Sequence, residues 1–308
     1  MFKILICEKI DLSCSNIFKA AGFTVDHRPE LSAGDLKEII AVYDGLVVRS
    51  LTKVTAEIFF KADKLKVVGR AGAGLDNIDV DAARERGVTV LNTPGQNANA
   101  VAELVIGLLL ALVRHIPIAD KSIRAGRWEK SKLAGTELFG KTIGIIGFGA
   151  VGRRVAELTR AFGLNILAHD PLLTDLQISA GGARPATFGE ILGDSNFVTL
   201  HLPKTLTTTG LINREVIMTH MKPGAILINC ARGGLVDETA LAEALVSGRL
   251  AGAAMDVFAT EPPALNHPLL ALDNFVTTPH LGASTAEAQV NVAVNIAQQM
   301  VSFFKTLI

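Results

Sequence analysis

One stretch in mid-chain constrains the fold more than any other. It reads Thr142-Ile143-Gly144-Ile145-Ile146-Gly147-Phe148-Gly149-Ala150-Val151-Gly152. An apolar strand runs straight into G-x-G-x-x-G, and a helical pattern follows over 151–162. Each glycine answers a physical demand. Gly147 permits a tight turn, Gly149 lets backbone approach a pyrophosphate, and Gly152 lets the helix pack close to the strand. The helix tip, formed by Ala150 and Val151, offers unpaired N–H groups and a partial positive charge to an anion.

The motif alone is weak, but its context is the expected one. A second strand, Asn165–His169, ends at Asp170, about twenty residues on. A carboxylate there accepts hydrogen bonds from a ribose 2′-OH and repels a 2′-phosphate. No Arg or Lys follows in Pro171-Leu172-Leu173, so NAD is expected rather than NADP. Gly69-Arg70-Ala71-Gly72-Ala73-Gly74 is a decoy, because Asn77 stands where the third glycine belongs and no acid follows at a strand end. It reads as a tight loop able to present backbone N–H groups to an anion.

Elsewhere short β-branched runs alternate with helical patterns. Strands are expected at 3–7, 45–48, 66–68 and 89–91, with helices at 12–21, 33–40, 56–61 and 80–85. Strands resume at 142–146, 165–169, 197–200, 226–229 and 253–256. Such alternation means parallel sheets covered by helices, hence an α/β fold. The 308 residues exceed one core's usual size. The predicted architecture is two Rossmann-like or flavodoxin-like parallel-sheet domains, the dinucleotide-binding domain (96–279) inserted into a substrate domain (1–95 and 280–308). A ligand cleft is expected between them. Ser284-Thr285-Ala286-Glu287 has the capping-box spacing that opens the last helix.

Composition narrows the function classes. Thirty Lys+Arg balance thirty Asp+Glu, so there is no field to draw nucleic acid or an acidic membrane. With one Trp and one Tyr the chain also lacks an aromatic platform for bases. A hydrophobic fraction of 49% excludes intrinsic disorder. Cys7, Cys14 and Cys230 form no C-x-x-C pair, which fits reduced thiols and neither a disulfide framework nor a metal site. The N-terminal apolar run is too short for a secretory segment, and Leu104 to Val113 is about half the roughly 20 residues that cross a bilayer. A soluble, cytoplasmic chain is expected.

A long helix is predicted over 97–123, apolar on every side through Val101, Leu104, Val105, Ile106, Leu108, Leu109, Leu110, Leu112 and Val113, with Pro117 kinking it or ending its first part. Such a helix is buried either in its own domain core or against a second copy of the chain. A homodimer is the favoured reading. The basic run Arg124, Arg127, Lys130, Lys132 follows, and by itself it reads as a solvated face.

Three polar segments lie near the ends of later strands, where an open parallel sheet forms its ligand crevice. They are Asn229-Cys230-Ala231-Arg232-Gly233-Gly234, Asp256-Val257-Phe258 with Glu261-Pro262, and Pro279-His280-Leu281-Gly282-Ala283-Ser284. Together with Val48-Arg49-Ser50, Gly69-Arg70-Ala71-Gly72 and the Gly147 turn, they make the chain closely resemble the D-isomer-specific 2-hydroxyacid dehydrogenases over essentially its whole length.

That resemblance implies a catalytic set of Arg232, Glu261 and His280. An imidazole suits proton transfer near neutral pH. A carboxylate holds its tautomer, and a guanidinium pairs bidentately with a substrate carboxylate. Composition alone does not choose Glu261 over Asp237 or Glu238. The cofactor contacts it implies are Gly147, Gly149, Ala150, Val151, Gly152, Asp170, Leu202, Pro203, Cys230, Ala231, Arg232, Asp256, His280, Gly282 and Ala283. Asp256 reads either as a carboxamide ligand or as a turn cap, and Cys230 as packing rather than a nucleophile. Of the other histidines, His27, His115, His220 and His267 are expected at surfaces or helix ends, and His169 and His201 as packing near the nucleotide.

The resemblance further implies a phosphorylated 2-hydroxy acid, D-3-phosphoglycerate. Its phosphate would be gathered by Arg49, Arg70, Ala73, Gly74 and Lys130, the last from a neighbouring subunit, and its carboxylate by Arg232. Similar enzymes often carry Thr at position 73, and some carry Arg at 130. The alternatives are a glyoxylate/hydroxypyruvate reductase or D-lactate-type dehydrogenase of the same family, and a non-catalytic NAD(H) sensor. Related long forms carry C-terminal regulatory domains. With the sequence ending at Ile308, feedback through such a domain is not expected.

Overall fold

Runs such as Ile4-Leu5-Ile6, Leu46-Val47-Val48 and Ile226-Leu227-Ile228 are apolar on both pleat faces, which suits strands covered by helices on either side. In a computed structural model describing residues 1–307, they are almost fully buried. The elements in chain order are β1 (Lys3–Ile6), α1 (Leu12–Ala20), β2 (Thr24–His27), α2 (Ala33–Ile39), β3 (Gly45–Val48), α3 (Ala56–Lys61), β4 (Val67–Arg70), α4 (Val80–Glu85) and β5 (Thr89–Asn92). Next come α5 (Ala98–Val113), α6 (Ile116–Arg124), β6 (Thr142–Ile146), α7 (Ala150–Arg160), β7 (Asn165–His169), α8 (Asp175–Ala180), β8 (Arg184–Pro185), α9 (Phe188–Asp194) and β9 (Phe197–Leu200). The chain finishes with β10 (Ile226–Asn229), α10 (Glu238–Val246), β11 (Gly252–Met255), β12 (Phe275–Thr277) and α11 (Ala286–Lys305).

The chain divides into two compact units, Met1–Asn97 with Ala283–Ile308, and Ala98–Gly282. The first holds a five-stranded parallel sheet in the order β2-β1-β3-β4-β5. That is a flavodoxin-like order. α11 covers one face, where Val292, Ile296, Met300 and Phe304 pack on Ile4, Val47 and Val67. The second unit holds a seven-stranded parallel sheet, β12-β11-β10-β9-β6-β7-β8. Counted within the unit this is the doubly wound order 3-2-1-4-5-6 with a seventh strand added, and its order reverses between β6 and β9.

Several local expectations change. Thr24–His27 forms an edge strand that the sequence reading did not predict. The long helix is two helices bent by 61°. The break falls at His115, which is left-handed (φ 52°), while Pro117 sits inside the first turn of α6. Pro lacks only a donor that a first turn does not use, so it sits at the start of the second helix, just past the break that ends the first part as expected. α5 is not buried all round. Val101, Val105, Leu108, Leu109 and Leu112 are buried in its own unit's core, whereas Glu103 and Gly107 are exposed. The last helix is capped by Thr285, which accepts from Ala288 N, so the Ser284/Glu287 box does not form. Among the described residues no single helix is long and apolar enough to cross a membrane.

Candidate functional site

The glycine turn joins β6 to α7 at the point where the sheet order reverses. Gly147 has φ +91°, and a Cβ there would lie 2.4 Å from His201 O at the end of β9. A Cβ on Gly152 would lie 2.3 Å from Gly147 O, so the helix can close on the turn only without one. At Gly149 a Cβ would meet nothing within 4 Å. That residue is the N-cap of α7, and no side chain caps it. The helix tip thus presents backbone N–H groups to open space, as a pyrophosphate needs.

Asp170 follows β7. Its Oδ2 accepts the N–H of Phe148 at 2.8 Å and its Oδ1 the N–H of Leu172 at 3.0 Å. The acid that would bind a ribose also holds the glycine turn in shape, and each oxygen keeps a further lone pair for a hydroxyl. Leu202 is half-buried and Pro203 exposed just beyond β9. These residues fit a dinucleotide.

A second cluster gathers beyond β10, β11 and β12, all within the same unit. His280 Nδ1 lies 2.8 Å from Glu261 Oε2. Glu261 Oε1 accepts the N–H of Phe258 at 3.0 Å, so both carboxylate oxygens are engaged. His280 itself is left-handed (φ 55°), which for a non-glycine residue costs about 1–2 kcal/mol and persists only where surrounding bonds impose it. Those bonds come from Asp256, which is 1% exposed. Its Oδ1 accepts from Thr278 Oγ1 at 2.5 Å and Leu281 N at 2.7 Å, its Oδ2 from Gly282 N at 2.8 Å, and its backbone carbonyl takes the N–H of His280 at 2.8 Å.

The acids that sequence left open have different partners. Asp256 acts as the cap of the histidine turn. Asp237 caps α10 through Ala240 N. Glu238 pairs with His267, and Glu261 with His280. His267 lies at a helix end, as the N-cap of the short turn Pro268–Ala271, and its side chain is only 17% exposed, with Phe258 and Glu238 against it.

Arg232 is half-buried on the loop after β10, which Asn229 shapes by accepting from Ala231 N and donating to Arg232 O. Its Nη1 donates to Ala231 O at 2.7 Å. Burial, and then the Asp256 charge, push the Cys230 thiol far above its usual range, which suits packing and not attack. Burial pushes the His201 imidazole down to about 3. It is neutral near pH 7 and hydrogen-bonds Thr199 Oγ1. The boundary of the two units lies after Gly282, so His280 belongs with Glu261 and Arg232 in the unit Ala98–Gly282, and Ala283 begins the return to the other.

In the first unit, Arg49 and Arg70 stand at the ends of the adjacent strands β3 and β4. Buried Glu8 accepts from the backbone N–H groups of Arg49 (2.7 Å), Thr52 (3.0 Å) and Leu51 (3.2 Å). Asn77, whose side chain breaks the decoy glycine pattern, donates to Arg49 O and Thr52 O. Gly72 has φ +149°, and a Cβ there would collide with the Arg70 guanidinium folded over it. Ala73 O accepts from Asn92 Nδ2, and Gly74 is half-buried beside it. Glu8 and Asn77 were not expected from sequence, since their partners lie up to 44 residues away.

The basic run is largely self-neutralised. Arg124 pairs with Asp120, and both Arg127 and Lys132 pair with Glu129, whose carboxyl is held down to about 2 by Ser122, Lys132 and Arg127. Of the four, Lys130 alone has no carboxylate partner among the described residues.

A bare helix tip at the reversal of an open parallel sheet, with an acid at the next strand end, defines a dinucleotide-binding α/β protein. Residues 106–282 match the family described as D-isomer specific 2-hydroxyacid dehydrogenase, NAD binding domain. The chain belongs to that family. A D-3-phosphoglycerate dehydrogenase of Archaeoglobus fulgidus is 45% identical over 305 residues, covering 99% of this chain and 58% of that protein. A hydroxypyruvate reductase of Thermotoga maritima is 49% identical over 274 residues, 88% of each. The solved TT0316 protein of Thermus thermophilus superposes with a TM-score of 0.90 at 33% identity, covering 99% of this chain and 97% of that one. The chain thus spans a little over half the length of the D-3-phosphoglycerate dehydrogenases it matches.

Proposed function

We propose that the chain is an NAD-dependent dehydrogenase that oxidises D-3-phosphoglycerate to 3-phosphohydroxypyruvate, the entry to serine synthesis by the phosphorylated route. The observation that carries the reading is the 2.8 Å contact of His280 with Glu261, on a turn that Asp256 holds in a left-handed conformation. His280 takes the C2 hydroxyl proton on Nε2. Glu261, on Nδ1, fixes the ring tautomer and balances the imidazolium that forms. Arg232 pairs with the substrate carboxylate. Bound NAD would supply the hydride acceptor. Asp170, Ala150 and Val151 hold and orient it, with Gly147, Gly149 and Gly152 leaving the room.

Arg49 and Arg70, with the backbone of Ala73 and Gly74, gather the phosphate tail on the loops after β3 and β4. Lys130 adds a further positive charge, supplied by a second copy of the chain. Ile116, Ile123 and Trp128 are 52%, 55% and 82% exposed on and just beyond α6. Apolar groups so exposed suit a homodimer contact.

A second reading has its own observation. The Thermotoga maritima hydroxypyruvate reductase shares 49% identity and matches over 88% of its length. A panel of phosphorylated and unphosphorylated 2-hydroxy and 2-keto acids, measured with NAD and NADH, separates the two. The proposal expects the highest kcat/KM for D-3-phosphoglycerate or 3-phosphohydroxypyruvate. A phosphate-free acid turning over better would favour the reductase, and no turnover at all would favour an NAD(H) sensor.

A further inference from the structure

Behind the Glu261–His280 couple stands another glutamate–histidine couple to which no role has been given. Glu238, first residue of α10, has a side chain 13% exposed, and His267 one 17% exposed. Glu238 Oε2 lies 3.0 Å from His267 Nε2, while Oε1 accepts the N–H of Ala259 at 2.7 Å. An ionised carboxylate accepts only, so His267 donates from Nε2. Its Nδ1 is then left as an acceptor, buried and without a hydrogen-bond partner among the described residues. A buried pair that leaves one atom unsatisfied is not what stability alone would select.

The pair converges on one peptide group, that between Phe258 and Ala259. Its N–H goes to Glu238. Its carbonyl is packed so closely by the Arg232 loop that a Cβ on Gly233 would lie 1.7 Å from Phe258 O. The Phe258 ring stands edge-on to His267, with centroids 5.5 Å apart. The N–H of Phe258 is the second donor to Glu261. That N–H lies in the preceding peptide group, so residue Phe258 links Glu261 on one side to the Ala259 N–H held by Glu238 on the other, with the loop carrying Arg232 packed on the carbonyl between them.

We propose that Glu238 and His267 are positioning residues for the reaction, acting through residue Phe258 and its two flanking peptide groups to fix Glu261 against His280 and the Arg232 loop. The proposal rests on the assignment of His280 and Glu261 as the reacting couple. Neither positioning residue touches substrate or cofactor in this account.

A double-mutant cycle on the whole chain tests it, with kcat for D-3-phosphoglycerate oxidation and the calorimetric Kd for NAD as readouts. Glu238→Ala is expected to lower kcat about tenfold while the Kd for NAD stays within about twofold. In a Glu261→Ala background the same change is expected to lower kcat by less than about twofold, because the group it positions is gone. Glu238→Gln, which keeps an acceptor for Ala259 N, is expected to restore most of the activity. Should Glu238→Ala not fold, His267→Ala takes its place in the cycle, with a smaller loss of about threefold to tenfold and the same dependence on Glu261. Equal losses with and without Glu261, or unchanged kcat in Glu238→Ala or His267→Ala, would overturn the proposal. Full activity of Glu261→Ala or His280→Ala would instead overturn the assignment beneath it.

Discussion

Asp256 Oδ2 accepts the backbone N–H of Gly282 at 2.8 Å, across 26 residues of sequence. With Thr278 and Leu281 on its other oxygen, this acid closes the turn that presents His280. A buried carboxylate with three donors stabilises strongly when ionised, and each donor left unmet in the interior costs about 1–3 kcal/mol. Asp256→Asn turns an amide N–H₂ toward at least one of those donors. Urea unfolding of this variant is expected to show a loss of about 1–3 kcal/mol. A lowered kcat should accompany it as the His280 turn relaxes. Unchanged stability would mean the carboxylate is not what holds the turn.

In the proposed function Asp170 carries the cofactor choice. Through Phe148 N it also shapes the glycine turn. Asp170→Ser removes the charge that would face a 2′-phosphate. We expect the Kd for NAD to rise about tenfold and the ratio of NADP to NAD in kcat/KM to rise by at least that factor. Steady-state kinetics with both nucleotides make the check. A wild-type enzyme that used NADP as well as NAD would remove this role.

The pH dependence of stability has a worked sign at His201. Burial depresses its folded pKa to about 3, against 6.5 for the free side chain. Between those values the unfolded chain binds more protons than the folded one, so stability is present above pH 6.5 and is lost as the pH falls toward 3. The slope contributed is at most about 1.4 kcal/mol per pH unit. His201→Gln should flatten the fall of urea midpoint between pH 6.5 and 4. An identical fall in the variant would assign it to other groups.

The sequence made the glycine turn, Asp170 and most strands legible, because each rests on local spacing that a strand–turn–helix demands. It also pointed through family resemblance to Arg232, Glu261 and His280. The same reasoning stopped where the partner lies far along the chain. Glu238 and His267 are 29 residues apart and share no periodicity. Glu8 acts on backbone N–H groups more than 40 residues away, which no side-chain pattern signals. Edge strand β2, Thr-Val-Asp-His, carries one apolar residue and so resembles a loop. The helix break expected from Pro117 is present, but its hinge falls at His115, a left-handed residue that no glycine marks.

The most direct test of the central claim compares wild type and His280→Ala for NADH formation from D-3-phosphoglycerate, with NAD binding measured on both. The account predicts NAD affinity within about twofold and a kcat reduced roughly 10²–10⁴-fold, the span that a general base supplies. A His280→Ala enzyme turning over at the wild-type rate would contradict it.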